Sequence, residues 1–155
     1  MPQLVQGGKY VFGWSYVREE GIISIPPEAY VEYNYRLDDK VILISGSKTS
    51  GGFSIIKLEK LIQSPLTKLL DQHSISSKSE FSQGDSIKQK NKKMYFTIIE
   101  HEYSISIPKN ILAQFEISLK THILAVRGSA LGLSYLVKGP IYQEAKKHPE
   151  LEIFN

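Results

Sequence analysis

Four lysines, Lys88, Lys90, Lys92 and Lys93, form the one basic tract of the chain. Spaced along an arm, they could follow a nucleic-acid backbone, and they serve equally well as a solubilising linker. Two loops offer a different chemistry. Gly46-Ser47-Lys48-Thr49-Ser50-Gly51-Gly52 and Gly128-Ser129-Ala130-Leu131-Gly132 are rich in glycine and hydroxyls, and Arg127 precedes the second. Clustered backbone N–H groups and hydroxyls can cradle a small anion, which makes Gly46, Ser47, Gly52, Arg127, Gly128, Ser129 and Gly132 candidate ligand contacts. Neither loop matches a phosphate-loop motif, and Gly/Ser hairpin turns form without any ligand. The histidines at 73, 101, 122 and 148 show no metal-ligand spacing. No Ser/His/Asp grouping carries a local signature, and the absence of cysteine excludes disulfides, thiolate metal sites and a cysteine nucleophile. The reading is therefore of a non-enzyme with no catalytic residue, metal or cofactor.

The elements that must hold these residues are written twice. Gly21-Ile22-Ile23-Ser24-Ile25-Pro26 returns eighty-two positions later as Tyr103-Ser104-Ile105-Ser106-Ile107-Pro108. The same offset pairs Leu37 with Leu119, Val41 with Ile123 and Gly46 with Gly128, and carries Phe12, Trp14 and Tyr16 onto Met94, Phe96 and Ile98. A two-residue indel then sets Gly52-Phe53-Ser54 against Gly132-Leu133-Ser134. Apolar positions coincide throughout, which marks one supersecondary unit in two copies.

Within each copy the period changes from two to helical and back. Phe12, Trp14 and Tyr16 alternate with smaller residues, as on a half-buried strand. Ile22–Ile25 reads as a second strand stopped by Pro26, and Pro27 suits the first turn of a helix carrying Ala29, Tyr30 and Tyr33. Val41–Ile44 and Phe53–Leu58 are further strands. The second copy repeats the plan over Met94–Glu100, Ser104–Ile107, a helix with Ile111, Leu112 and Phe115, Ile123–Val126 and Leu133–Val137. The fold class is mainly β with short helices, as tandem β-β-α-β-β units. The boundaries are 1–62 for the first repeat, 63–93 for a connector and 94–155 for the second repeat, with a closing helix from Ile141 to Lys147. The connector starts helically through Leu58, Leu61, Ile62, Leu66, Leu69 and Leu70, then turns polar and loose from His73 to Asn91.

The formal charge of +3 lies entirely in the connector, because each repeat balances its acids and bases. A net-neutral repeat weakens any argument from overall basicity to a nucleic-acid-binding surface. The start of the chain lacks the pattern of a signal peptide, and the longest apolar runs are strand-sized, so a cytoplasmic protein without membrane contact is expected.

The first copy resembles the AbrB/SpoVT/MazE-like swapped-hairpin barrels. Their pattern of Gly, alternating apolars ending in Pro, a short helix, a left-handed residue and an Asp before an apolar strand reads here as Gly21, Ile23, Ile25, Pro26, Ala29, Tyr33, Asn34, Tyr35, Asp39, Val41 and Leu43. The second copy departs from it at Tyr103, Glu116 and Thr121. The resemblance implies that the two units interleave their hairpins into one closed intramolecular barrel, a pseudo-dimer forming a single domain. It further implies a DNA-binding transcriptional regulator, with Arg18 and Lys109 on the positions that touch DNA in the family. Carboxylates at Glu19, Glu20, Glu28, Glu100 and Glu102 surround those two and oppose phosphate contact. The alternative is a non-enzymatic barrel that binds a protein partner or a small anionic ligand through the Gly/Ser loops, as a monomeric pseudo-dimer or a higher homo-oligomer.

Overall fold

The computed structural model describes residues 10–63, 86–89, 92–129 and 131–155. The chain runs through β1 (Val11–Tyr16), β2 (Ile22–Ser24), α1 (Pro27–Glu32), β3 (Lys40–Ser45), β4 (Phe53–Lys57) and α2 (Leu58–Ile62). It continues with β5 (Ser86–Gln89), β6 (Lys92–Ile98), β7 (Ser104–Ser106), α3 (Lys109–Gln114), β8 (His122–Ser129), β9 (Gly132–Leu136), α4 (Pro140–Ala145) and β10 (Ile153–Phe154). The architecture is mainly β, with short helices and a mostly antiparallel sheet.

Local geometry repeats at the offset of the sequence. Pro26 and Pro108 each end a strand at an extended backbone and supply the carbonyl that accepts the first helical bond, from Tyr30 and Leu112 at 2.9 Å each. Both helices stop at a left-handed residue, Asn34 at φ 58° and Glu116 at φ 65°. The residue after each donates back five positions, Tyr35 to Tyr30 at 3.0 Å and Ile117 to Leu112 at 2.9 Å, which completes the same C-terminal cap. Asp38 and Lys120 hold positive φ at the next turn, as do Gly21 and Tyr103 at the first. At the turn entering the third strand, Asp39 accepts from the Arg36 amide at 2.8 Å, whereas Thr121 at the matching position donates to the Ser118 carbonyl at 2.7 Å. One turn is thus closed by opposite bond polarities, which is how Thr stands in for Asp.

Eight strands form one sheet in the order β10-β1-β8-β9-β4-β3-β6-β5, and β2 pairs with β7 in a separate ribbon. The pairings are reciprocal between the halves. β1 lies antiparallel to β8, and its counterpart β6 lies antiparallel to β3. β2 meets β7 with Ile23 opposite Ile105, and β4 meets β9 with Ser54 opposite Ser134. The Ile25 amide donates to the Tyr103 carbonyl at 2.8 Å and the Ile107 amide to Gly21 at 3.0 Å. Among the described residues the sheet keeps two edges, β10 and β5, so these strands do not close into a single hydrogen-bonded ring as the resemblance implied.

Among the described residues, buried apolar side chains separate into three clusters. The largest lies between the sheet, the ribbon and helices α1 and α3, and includes Phe12, Ile23, Tyr35, Leu43, Ile105, Phe115 and Tyr135. On the outer face, Leu58 and Leu61 of α2 cover Ile42, Ile44, Met94 and Phe96. At the matching place Ala145 of α4 covers Val11, Leu124 and Val126, with Trp14 and Tyr142 at its margin. The sequence period sets Phe12 and Trp14 on one face, but a register shift between Val11 and Gly13 divides them. A bulge of this kind sends a strand's side chains to the opposite face.

The segment read as a loose connector contains a strand. β5 pairs with β6 from Ser86 opposite Tyr95 to Gln89 opposite Lys92, so part of residues 63–93 belongs to the sheet. The rest of that reading, including the run Leu66, Leu69 and Leu70 and the stretch from His73 to Asp85, lies outside the described residues. No described helix is long and apolar enough to cross a membrane.

Candidate functional site

The β2–β7 ribbon brings the Arg18 turn beside the start of α3, because the Gly21 carbonyl accepts from Ile107 two residues before Lys109. Lys109 is exposed. Arg18 is only half-exposed, and its Nε is enclosed without a hydrogen-bond partner among the described residues. Glu19, Glu20, Glu100 and Glu102 are all exposed on the two turns, and Lys120 approaches Glu19 at 3.8 Å. A cleft of about 270 Å³ between the turns has Glu20 and Glu100 in its lining. The field at this end is therefore mixed, with more acid than base.

The basic tract occupies the far edge of the sheet. Lys88 is the register partner of Lys93, and Gln89 of Lys92. Lys92 Nζ donates to the Ser45 carbonyl at 3.2 Å and Lys93 Nζ to that of Gln114 at 3.2 Å. Lys90 lies outside the described residues. Sequence spacing alone shows the lysines as beads on an arm; the hairpin places two of them directly across a ladder.

The Gly/Ser loops do not combine into one site. β4 and β9 run antiparallel from Phe53 opposite Tyr135 to Ile56 opposite Gly132, which sends the two loops to opposite ends of the pair. In the first loop the Gly46 amide donates to Gly52 at 3.1 Å, Gly51 to Ser47 at 2.9 Å and Gly52 to Phe115 at 3.0 Å. These donors hold the loop's own shape. The Ser50 carbonyl in turn accepts from Val137 at 3.0 Å, docking the loop beside the entry to α4. A cleft of about 270 Å³ results, with Ser47, Thr49, Ser50 and Lys138 in its lining. Lys138 is already bonded to Glu116 at 2.7 Å.

The second loop is tied to α1. Arg127 grips Glu32 with two bonds, of 2.7 and 2.6 Å, and its guanidinium lies 4.5 Å from the Tyr10 ring centroid. The Glu32 bonds hold the Arg127 pKa above its ordinary value. Gly128 donates its amide to the Tyr33 hydroxyl, whose pKa burial pushes up to about 12. Ser129 ends β8 with Gly132 as its ladder partner. Arg127 thus presents a neutralised ion pair rather than an unengaged cation.

Two features escaped the sequence. Lys57 is buried, bonded to the Asn34 carbonyl at 3.0 Å and to Asp39 at 3.2 Å, and pins β4 to the turn before β3. A third cleft, of about 300 Å³, is lined by Trp14, Thr121, His122, Tyr142, Lys146 and Ile153, drawn from both halves of the chain. Among the described residues no group of three or more His, Asp or Glu side chains is placed to hold a metal. Compared with protein-family models, with curated proteins and with solved structures, the chain matches none.

Proposed function

We propose that the chain is a DNA-binding regulator, built as an intramolecular swapped-hairpin pseudo-dimer of the AbrB/SpoVT kind. Support for the architecture is the reciprocal exchange of strands, β1 onto β8 and β6 onto β3, about the symmetric β2–β7 ribbon. The observation that carries the nucleic-acid reading is the lysine ladder at the sheet edge, where Lys88 pairs in register with Lys93. The backbone register sets two lysine positions across one strand pair, and a polyanion laid along that edge would pass both. Edge lysines also deter strand addition, a role that needs no ligand.

An anisotropy titration against duplex DNA across salt concentrations separates the two roles. Replacing Lys88, Lys90, Lys92 and Lys93 with Ala is expected to flatten the slope of log affinity against log salt by roughly two to four units, at about 0.9 per phosphate contact. Arg18→Ala and Lys109→Ala should instead alter sequence preference, if these side chains reach base edges. No binding to duplex at low salt overturns the DNA reading. The second reading, a module for a protein partner or a small anion, is favoured by the hydroxyl-lined cleft beside Ser47 and Ser50.

A further inference from the structure

We propose that the cleft between β1, the start of β8 and α4 is a binding site for a small planar aromatic anion. The case begins with the difference between the halves. Phe96, the counterpart of Trp14, is fully buried beneath α2. Beside Asp39 and Lys40, the counterparts of Thr121 and His122, lies a cleft of about 220 Å³ occupied by charge, where Lys57 pairs with Asp39 at 3.2 Å and with Glu59 at 3.8 Å. That half answers its own polarity. In the other half the ion cluster is gone and an aromatic-walled cleft of about 300 Å³ remains.

The walls select a ring. Trp14 and Tyr142 stand perpendicular, with centroids 5.3 Å apart. A flat ligand stacked on either meets the other edge-on, which are the two favoured aromatic geometries. Ile153 supplies an apolar flank while remaining 52% exposed. The volume is at the lower end of ligand pockets, roughly 300–1,000 Å³, and suits a single ring rather than a dinucleotide.

The charge selects an anion. Lys146 Nζ sits 4.9 Å from the Tyr142 ring centroid and enters no ion pair among the described residues. His122 adds a second donor, its ring 5.1 Å from that of Tyr16. The nearby carboxylates are engaged or absent from its lining. Glu144 and Glu150 both bind His148, at 3.2 and 2.8 Å. Glu152 precedes Ile153, is exposed, and is absent from the lining of the cleft.

Trp14 is the sole tryptophan, so its indole N–H resonance reports the site without assignment ambiguity. Benzoate is the probe and benzamide its neutral counterpart, each titrated into the full-length ¹⁵N-labelled protein. A saturable shift of the indole peak with benzoate is expected, at a Kd of about a millimolar for so few heavy atoms. Lys146→Met should weaken it by about tenfold or more, as loss of a charge-assisted bond requires. Lys147→Met, one position along the same exposed turn, should leave it unchanged, and benzamide should bind more weakly than benzoate. No saturable shift at tens of millimolar overturns the site. Equal binding of benzamide, or indifference to Lys146→Met, overturns the anion.

Discussion

Buried tyrosine hydroxyls link parts of the chain that are remote in sequence. Tyr35 donates to the Ile55 carbonyl at 2.6 Å and accepts from the Leu133 amide at 3.0 Å, joining β4 to β9 where Gly132 lets the backbones approach. Tyr135 shares a bond of 3.1 Å with Ser15 Oγ and donates to the Ser24 carbonyl at 3.2 Å. Burial drives both phenols well above their ordinary pKa, and it pushes Tyr10 up to about 12, with the Glu28 carboxylate adding to the rise. The folded state therefore holds phenol protons that the unfolded chain releases near pH 10. This contribution to stability is complete below pH 10 and is lost as pH rises from there towards the folded values. In an alkaline titration, Tyr35 and Tyr135 should ionise only together with loss of the far-ultraviolet circular dichroism signal. All tyrosines titrating together near pH 10, with the fold intact, would contradict the assignment.

Among the elements, the turns show how two copies reach one backbone with different residues. Gly21 lies at φ 84° against the Ile107 carbonyl, where an added Cβ would collide, yet Tyr103 holds φ 63° at the matching turn. The left-handed conformation is thus imposed by the ribbon pairing, and only the first copy meets it with the residue that suits it best. Lys120 at φ 63° is exposed, and its bridge to Glu19 is long, at 3.8 Å, so little holds that residue type there. Lys120→Gly is expected to stabilise by up to about 1 kcal/mol, as relief of left-handed strain is partly offset by unfolded-chain entropy. Gly21→Ala should destabilise by about 2 kcal/mol or more through strain and collision together. Urea denaturation of the two variants should give opposite signs, and a shared sign would remove the strain account.

The whole molecule depends on exchange between its halves. In residues 1–62 alone, β1 loses β8, β3 loses β6, β2 loses β7 and β4 loses β9. Four strands would then present unsatisfied edges, and the apolar cluster shared by Ile23, Leu43, Ile105 and Phe115 would be halved. That fragment should be unfolded, or should dimerise and rebuild the pairings between two copies, as read by circular dichroism and light scattering. A folded monomer would show that the halves are independent. The same exchange separates the candidate sites: the acidic turns lie by the ribbon, the lysine ladder at one sheet edge, and the aromatic cleft beside the other.

What could be read along one dimension was whatever local chemistry dictates. The repeated Ile-Ser-Ile-Pro, the prolines opening α1 and α3, and the order β-β-α-β-β in each half follow from residue type and near-neighbour spacing. Asn34 at a helix end could be recognised because its side chain tolerates the left-handed backbone. Glu116 could not, since nothing in its own chemistry favours φ 65°; it is seen only once the Ile117 amide is found closing the turn on the Leu112 carbonyl. The bulge that parts Phe12 from Trp14 likewise answers to β8, a strand more than a hundred residues away. The connector's strand β5 exists through β6, with no apolar alternation of its own to announce it. Arg127 looked like an anion contact until folding set Glu32 against it. Trp14, His122 and Lys146 had no spacing to detect, because their proximity is made by strand exchange and helix docking. Short-range preferences act within a few bonds and leave their mark in sequence, whereas pairing and packing act across space between residues whose separation along the chain is arbitrary.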